Sequence, residues 1–316
     1  MHGLIVLAAL GKSPGRDGGS GRVPGRSVPS TAQVAAAPGP AQPKGAPLDS
    51  SARESAAQAL LEAYETKTPI APLTDTHQGM SLDDAYAIQE LQTRRRLEEG
   101  RVLKGHKVGL TSAAMQRQLG VDQPDHGVLF DDMFFLEHAP IEAGHYLAPK
   151  VEPEIAFVLR APLAGPGVTI VDAIGAVDYV LPALEIIDSR IRDWRITILD
   201  TVADNASSGG VVLGSTPTRL GDVDLRLVGV NLHRNGQLVA TGAGGAVLGS
   251  PINALVWLAN TLGPRGVTLE AGAVVLPGSI TAAQAVDPGD TVTATFSGLG
   301  SVTAQFAPAP STSEVR

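Results

Sequence analysis

The sequence predicts an α+β protein in which helices come first and a glycine-rich mixed β core follows. Residues 49–100 contain two segments with helical periodicity. After Arg101 the chain becomes a series of short β-rich runs separated by Gly and Pro. No repeat of fixed period is visible, so a solenoid or a propeller is not expected.

The composition indicates a globular protein that handles small molecules. The chain has 316 residues, of which 43% are hydrophobic, so it can bury a substantial core. Its 24 basic and 32 acidic residues give a net charge of -8, and without a basic stripe a nucleic-acid surface is not expected. It contains no cysteine, which excludes disulfides, thiolate metal sites and thiol nucleophiles. Any bound metal should therefore be a hard cation.

The first 48 residues differ in character from the rest. They contain nine Gly, seven Pro and five basic residues against one acid. Such a segment buries too little apolar surface to offset its ordering entropy, so we expect a disordered extension over 1–48, a catalytic domain over 49–308 and a tail over 309–316. The apolar stretch Leu4 to Leu10 is shorter than the roughly 20 residues that span a bilayer, and no Lys or Arg precedes it. No membrane association is expected, and the expected location is the cytoplasm.

Two helices are predicted at the start of the folded part. Ser51 and Glu54 have the spacing of a capping box at the beginning of the first helix. Ser81 and Asp84 have the same spacing at the beginning of the second helix, which Gly100 should end.

The segments that follow are predicted as strands with two further helices. One helix should lie around 170–180 and another over 251–262, where Pro251 suits a first helical turn. The β-rich runs are 102–110, 151–159, 211–214, 225–233, 273–277 and 291–306.

Two carboxylates stand two residues apart in the run Lys150 to Leu159. Alternate residues of a strand share a face, so Glu152 and Glu154 should project together. Like charges at this spacing repel, and a divalent cation would turn the repulsion into a binding site. Pro153 cannot donate a ladder hydrogen bond, which indicates an edge strand or a bend. The same pattern also fits a solvated edge strand that binds no metal.

A third carboxylate, Glu185, is embedded among apolar residues. Such a Glu either faces solvent from a strand or is buried and paired. Three Glu oxygens with open positions would suit Mg²⁺ or Mn²⁺ rather than Zn²⁺. Nearby, Asp188 and Arg190 are expected to form a structural ion pair with each other or with Arg192 and Asp193.

Lys107 lies between Gly105 and Gly109 in a β-forming run, and glycines permit close approach of a ligand. A lysine that is near a metal and partly desolvated can have a lowered pKa and serve as a proton donor or acceptor. An ordinary surface lysine fits the same pattern. Further on, the turn-rich segment 120–127 should present Asp125 on a loop, as a functional group or as an ordinary turn residue.

Two polar segments are suited to binding a substrate carboxylate. Residues 204–210 offer hydroxyls, an amide and flexible backbone donors, and residues 276–282 offer Ser279 and Thr281. Neither segment forms the Gly-x-Ser-x-Gly elbow of a serine hydrolase, and the chain has no His-Glu-x-x-His zinc motif.

In this order, these segments resemble the 2-keto-4-pentenoate hydratase and 4-oxalocrotonate decarboxylase group of the fumarylacetoacetate hydrolase superfamily. The resemblance runs from about Ala52 to Phe306 and implies a mixed fold of the β-roll type. It rests on GHKVGLTS, GVDQPDHGVLF, PKVEPEIAFVL, LPALEIIDSRIRDW, DTVADNASSG, AVLGSP, LPGSIT and GLGSV.

The resemblance implies a homo-oligomeric lyase that uses Mg²⁺ or Mn²⁺ on a small 2-oxo or 2-hydroxydienoic acid. The implied reaction hydrates 2-hydroxypenta-2,4-dienoate in the meta-cleavage degradation of aromatic compounds, with association to other enzymes of that pathway as a further expectation. The implied metal ligands are Glu152, Glu154 and Glu185. The implied proton-transfer residues are Lys107 and Asp125. The implied substrate contacts are Thr111, Ser207, Ser208 and Ser279.

Both branches of the group share the carboxylates and the lysine, so other interpretations stay open. GVDQPDHG, RIRDW and ASSGG look more like the hydratases, whereas GPGVTIVDAIGAVDYVLP and ITA look closer to the decarboxylases. A non-catalytic subunit that stabilises a pathway enzyme is a third possibility, but it would have no physical need for a costly carboxylate cluster. Pro153 stands where Ala or Val is more usual, and it leaves the two flanking carboxylates in phase.

Overall fold

The computed structural model describes residues 47–309, in which helices precede two β-sheets. The predicted extension over 1–48 and the predicted tail over 309–316 lie outside the described residues, apart from 47, 48 and 309. The helices are α1 (Ser50–Thr66), α2 (Leu73–Thr76), α3 (Leu82–Glu98), α4 (Ala113–Leu119), α5 (Ile170–Ala176), α6 (Ile198–Ala203) and α7 (Pro251–Leu262). The strands are β1 (Leu103–Gly109), β2 (Asp125–Phe130), β3 (Phe134–Phe135), β4 (Pro140–Ile141), β5 (Lys150–Leu159), β6 (Val177–Ile187), β7 (Ser208–Leu213), β8 (Gly229–Arg234), β9 (Gln237–Ala243), β10 (Val274–Leu276), β11 (Gln284–Ala285), β12 (Thr291–Phe296) and β13 (Gly300–Phe306). The predicted α+β class is confirmed.

The first helix begins two residues before the position that the sequence predicts. Asp49 is its N-cap, and the Asp49 carboxylate accepts a hydrogen bond from the backbone N–H of Ala52 at 2.8 Å. The predicted capping box of Ser51 and Glu54 is therefore wrong, because an Asp two residues earlier already satisfies the free N–H groups of the first turn.

The second capping box is confirmed at α3. Ser81 Oγ accepts from the N–H of Asp84 at 3.2 Å, and the Asp84 carboxylate accepts from the N–H of Ser81 at 2.9 Å. The apolar sides of α1 and α3 meet α6 in a small core that includes Leu60, Ile88 and Val202. Burial of these side chains, rather than helix propensity, holds the helical layer together.

The larger sheet contains the strands that carry the candidate site. Its order is β2-β1-β10-β5-β6-β7-β3, and β11 pairs with the start of β5. Strand β10 is short, since it pairs with β5 only through Val274 and Val275 and leaves the sheet after Leu276. A gap therefore opens between β1 and the first half of β5.

The smaller sheet, of order β4-β13-β12-β8-β9, covers the other side of the main core. Val151 and Ile155 of β5 are buried in this core together with Leu232 of β8 and Leu255 of α7. One face of β5 is thus apolar and the opposite face is left for charged residues. By length and composition alone Gly244–Arg265 would suffice to cross a membrane, but α7 within it buries much of its apolar surface in this core.

Several predicted elements differ from the observed ones. The helix expected around 170–180 is the short α5, and the chain turns directly into β6 at Val177. Strands β2, β6 and β9 have no counterpart among the predicted runs, and β8 occupies only the end of 225–233. Strand β6 is almost wholly buried, and a continuous apolar run has no period that separates a strand from a helix.

The prediction that Pro153 marks an edge strand is wrong for β5 as a whole. At Pro153 itself, however, only one edge of β5 is paired with another strand. Strand β5 pairs with β6 along its length. The opposite side of Pro153 faces the gap, where its carbonyl oxygen accepts a hydrogen bond from the N–H of Ile280 at 3.0 Å. A residue's N–H and C=O point to the same edge of a strand, so the missing N–H of Pro153 faces a position where no strand pairs.

Candidate active site

Three glutamates converge at the gap between β1 and β5. Glu152 and Glu154 lie two residues apart on one face of β5, and Glu185 of β6 is directly opposite Glu152. One carboxylate oxygen from each lies within 4.8 Å of the others. Glu154 and Glu185 are fully buried, and Glu152 is partly buried. The predicted solvated edge strand is therefore excluded in favour of a buried cluster.

The cluster has fewer hydrogen-bond donors than its oxygens can accept. The N–H of Gly278 donates to Glu154 Oε2 at 2.8 Å. Within residues 47–309, no donor makes an aligned hydrogen bond to Glu154 Oε1 or to either carboxylate oxygen of Glu185. Burial raises the pKa of Glu152 to about 7, and repulsion by Glu185 adds to this effect. Burial also raises the pKa of Glu154 and of Glu185.

These properties fit a hard divalent cation. Carboxylate oxygens are the ligands that Mg²⁺ and Ca²⁺ prefer, whereas zinc sites favour His and Cys. Three carboxylates held together in a protein interior repel one another, and a cation bound between them would offset both the repulsion and the loss of water.

Lys107 approaches the cluster from β1. Its Nζ lies 3.3 Å from Glu185 Oε1 and donates a hydrogen bond to the carbonyl oxygen of Ala206 at 2.9 Å. Burial alone would lower the pKa of Lys107, but the surrounding carboxylates, Glu185 foremost, raise the pKa above its ordinary value. The predicted lowering concerns a lysine beside a bound metal, so it stays a prediction.

Asp125 lies beside Lys107, on a strand rather than on the predicted loop. It is the first residue of β2 and pairs with Gly109 of β1. Its side chain is buried, and burial raises the pKa of the Asp125 carboxyl, an effect that Lys107 opposes. A Cβ on Gly109 would overlap Asp125 Oδ1, and a Cβ on Gly105 would overlap the carbonyl of Val274. The glycines that flank Lys107 thus leave space for neighbouring protein atoms rather than for the ligand that the sequence suggests.

Two of the predicted substrate contacts line the gap near Gly278. Thr111 is buried, and its Oγ1 fills the space that a Cβ on Gly278 would need. Ser279 follows in the same segment, where its Oγ donates to the carbonyl of Thr281 at 2.7 Å. Both hydroxyls thus lie close to the cluster, and their contact with a substrate stays a prediction.

The other two predicted contacts lie at the start of β7. Ser207 Oγ is 2.9 Å from the hydroxyl of Thr201. Ser208 Oγ is buried and has no aligned hydrogen-bond partner within the described part of the chain. Ser208 could therefore bind a substrate without breaking an existing hydrogen bond, whereas Ser207 could not. Both roles stay predictions.

A paired set of buried charges lies in the segment that connects β6 to β7. Arg190 Nε is 2.6 Å from Asp204 Oδ1, and Arg190 Nη1 is 3.7 Å from Asp188 Oδ2. The predicted pair of Asp188 and Arg190 is confirmed, although Asp204 is the nearer partner. The Arg190 guanidinium also lies 4.0 Å from the centre of the Tyr64 ring. The sequence gives no sign that Asp204 is the partner, because the two residues meet only through folding.

The same region contains the backbone carbonyl of Ala206, which accepts the hydrogen bond from Lys107. Sequence reasoning missed this group. Asn205, Ala206 and Ser207 all have left-handed backbone conformations, and the carbonyl of the middle residue faces Lys107. Only the Asn hints at this geometry, since Asn tolerates positive φ better than Ala or Ser.

Known proteins share this arrangement of sequence and fold. Residues 106–307 match the family model described as "Fumarylacetoacetate (FAA) hydrolase C-terminal". The chain belongs to the fumarylacetoacetate hydrolase family. It is 52% identical over 254 residues to the 2-keto-4-pentenoate hydratase of Paraburkholderia xenovorans (strain LB400), a match that covers 80% of this chain and 94% of that one. It is 47% identical to the TodF product hydratase of Pseudomonas putida F1, over 80% of this chain and 95% of that one.

A solved structure of the same family gives a close fit. The 4-oxalocrotonate decarboxylase from Pseudomonas putida G7, complexed with magnesium and adipate, is 40% identical and superposes with a TM-score of 0.79. The match covers 82% of this chain and 98% of that chain. The predicted membership in the hydratase and decarboxylase group is confirmed.

Proposed function

We propose that this chain is a hydro-lyase that converts 2-hydroxypenta-2,4-dienoate to 4-hydroxy-2-oxopentanoate in the meta-cleavage degradation of aromatic compounds. The observation that carries the proposal is the convergence of three glutamates, two of them fully buried, with the Lys107 side chain, whose Nζ lies 3.3 Å from Glu185. Two curated relatives at 52% and 47% identity bear the name of a hydratase, which favours hydration over the other reactions of the family.

Glu152, Glu154 and Glu185 would hold a divalent cation, Mg²⁺ or Mn²⁺. Such a cation would supply Lewis acidity to the carboxylate and the 2-oxygen of the substrate. The magnesium in the related decarboxylase supports Mg²⁺ as the first choice.

Lys107 and Asp125 would move the protons. Lys107, whose Nζ lies 3.3 Å from Glu185, would donate a proton to carbon 5 while Asp125 accepts the proton that the 2-hydroxyl gives up. Water then adds its hydroxyl at carbon 4 and a proton at carbon 3, so the product contains the atoms of one water molecule. Thr111, Ser207, Ser208 and Ser279 are assigned to substrate binding. A homo-oligomeric state, a cytoplasmic location and association with pathway enzymes stay predictions.

The test uses the purified chain, stripped of metal, with the dienoate and with or without Mg²⁺ or Mn²⁺. Dienol absorbance and product identity are followed, and the expected result is metal-dependent formation of 4-hydroxy-2-oxopentanoate. Glu185→Gln should lose metal affinity together with turnover. Lys107→Ala should bind metal as before and lose kcat by about 10²- to 10⁴-fold. Lys104→Ala, at an exposed position of the same strand, is the matched control. Normal turnover in Lys107→Ala would remove that residue from the mechanism.

Decarboxylation of 4-oxalocrotonate is the second candidate, because the solved relative with a TM-score of 0.79 bears that name. Loss of carbon dioxide leaves a dienolate of the same kind, which the same site would stabilise. Carbon dioxide release without hydration of the dienoate would move the chain to that branch, and inactivity on both substrates would favour the non-catalytic subunit.

A further inference from the structure

We propose that Asn205 and Gly127 are positioning residues that hold Lys107 in place through the carbonyl group of Ala206. The inference rests on the proposed proton-transfer role of Lys107, but it concerns residues that touch no reacting atom. The segment Asn205–Ser207 is called the left-handed turn below.

The backbone of the left-handed turn needs support from its surroundings. Its three residues have φ values of 53°, 50° and 56°. Residues other than Gly rarely adopt this conformation, and a run of three persists only where contacts outside the segment over-determine it. Strain of this kind concentrates at functional sites. The contacts that maintain the left-handed turn, and the backbone group that the turn presents, therefore bear on function.

The Asn205 side chain supplies the first support. Its Oδ1 accepts a hydrogen bond from the N–H of Val128 at 2.8 Å, and its Nδ2 donates to the carbonyl of Val128 at 3.0 Å. The amide thereby satisfies both backbone groups of one β2 residue, as a neighbouring strand would. Both partners are buried, so losing either bond would leave an unsatisfied polar group.

Gly127 supplies the space in which the turn lies. It is directly opposite Lys107 in the pairing of β1 and β2, so the two residues share a face of the sheet. A Cβ on Gly127 would overlap the carbonyl oxygen of Asn205. The missing side chain therefore lets the left-handed turn approach the sheet at the position of Lys107.

The residue before the turn is anchored independently. The Asp204 carboxylate accepts from Arg190 Nε at 2.6 Å and from the N–H of Arg190 at 2.9 Å. Arg190 Nη2 also donates to the carbonyl of Asp204 at 3.0 Å. With Arg190 at its start and Asn205 bonded to β2, the turn has little freedom to move away from Lys107.

The turn presents the Ala206 carbonyl to Lys107, 2.9 Å from Nζ. A lysine side chain has many rotamers, and one fixed acceptor restricts where the ammonium can point. A carbonyl does this without adding another negative charge next to the carboxylates. While Nζ makes this hydrogen bond, it also lies 3.3 Å from Oε1 of Glu185, one of the proposed metal ligands.

The experiment compares two asparagines that make the same pair of bonds. Asn260 accepts from the N–H of Val168 at 2.9 Å and donates to the Val168 carbonyl at 2.9 Å, away from the carboxylates. Asn205→Ala should lower kcat about 10- to 100-fold with KM and Mg²⁺ affinity within about threefold, since a misplaced proton donor slows the chemical step alone. Asn260→Ala should leave kcat unchanged, although both variants lose two hydrogen bonds and melt earlier. If Asn205→Ala fails to fold, Asn205→Gly serves instead, because Gly adopts the left-handed backbone without strain.

A double-mutant cycle separates positioning from general damage. In a Lys107→Ala background, Asn205→Ala should cost less than about twofold more in kcat, because the residue through which it acts is gone. Equal losses of kcat in Asn205→Ala and Asn260→Ala, or an undiminished loss in the Lys107→Ala background, would overturn the proposal. Gly127→Ala is the second route to the same effect and should also lower kcat with little change in KM.

The activity of the wild-type protein distinguishes failure of the hydratase proposal from failure of this inference. If the wild type turns over neither substrate, crystal structures of the wild type and of Asn205→Ala decide the inference. The bond from Lys107 Nζ to the carbonyl of residue 206 should be present in the first and absent in the second. Its persistence in the variant would show that Asn205 does not position Lys107.

Discussion

Two groups of buried charges contact residues 204–207, and they are built differently. Around Arg190 both carboxylates have partners: Asp204 lies 2.6 Å and Asp188 3.7 Å from the guanidinium, and backbone N–H groups bond each of them. Arg190 Nη1 has no aligned hydrogen-bond acceptor within residues 47–309. In the cluster of Glu152, Glu154 and Glu185, three carboxylates share one ammonium, and several of their oxygens have no aligned donor within residues 47–309.

The difference separates a structural role from a functional one. Burying an unpaired charge lowers the free energy of unfolding, so a cluster that is short of partners is retained only if a cation or a substrate uses it. Carboxylates that are paired with a cation and with backbone N–H groups need no such explanation, since these hydrogen bonds offset much of the loss of water. Each group of charges therefore predicts a different response to mutation, to metal and to pH.

The largest effect is expected from breaking the paired network. Arg190→Met removes the guanidinium that opposes the rise in the pKa of Asp204 caused by burial, so the variant must either bury an unpaired Asp204 carboxylate or protonate it. The free energy of unfolding should fall by about 3–5 kcal/mol, measured by urea denaturation. Arg226→Met breaks an exposed ion pair with Asp224 and should change nothing measurable. A loss below about 1 kcal/mol in Arg190→Met would mean that the network adds little to stability.

The network also shows where sequence reasoning stops. The capping box of Ser81 and Asp84 and the helix that begins at Pro251 follow from local rules, because the residues that form them are close in sequence. Strand β6 escaped prediction, because its buried run shows no period. The pairing of Arg190 with Asp204 escaped too, since it depends on how β6 and β7 meet.

The candidate site was predictable to the extent that it depends on strand alternation. Period two places Glu152 and Glu154 on one face, whereas the position of Glu185 opposite Glu152 depends on the register of β5 and β6. The rise in the pKa of Lys107 without metal could not be predicted, because the sequence does not show how many carboxylates surround its side chain. The role of the Ala206 carbonyl was not predictable, because every residue type has a backbone carbonyl.

Metal should have the next largest effect, and only on the cluster. A ligand that binds the folded state at 100 times its dissociation constant stabilises it by about 2.7 kcal/mol, so Mg²⁺ should raise the melting temperature of the wild type. It should raise that of Arg190→Met by a similar free energy and leave Glu185→Gln unchanged. Thermal melts with and without Mg²⁺ after chelation give the comparison, and equal stabilisation of Glu185→Gln would place the cation elsewhere.

The smallest effect is expected from removing one charge of the cluster in the absence of metal. Burial raises the pKa of Glu154 above its ordinary value of 4.5, so the folded protein keeps a proton that the unfolded chain releases as the pH rises through that value. The contribution of Glu154 to the stability of the metal-free protein therefore falls as the pH rises above 4.5, and Gln, which does not titrate, avoids this loss. Glu154→Gln also keeps an acceptor for the N–H of Gly278.

Urea denaturation of the metal-free proteins should find Glu154→Gln more stable than the wild type by up to about 2 kcal/mol at pH 6 and no more stable at pH 4. Glu90→Gln, at an exposed position of α3, should show no such dependence on pH. A difference that did not change between pH 4 and pH 6 would mean that the folded state holds Glu154 as an ordinary carboxylate. The cluster would then be as well compensated as the charges around Arg190, and its shortage of donors would no longer argue for a bound cation.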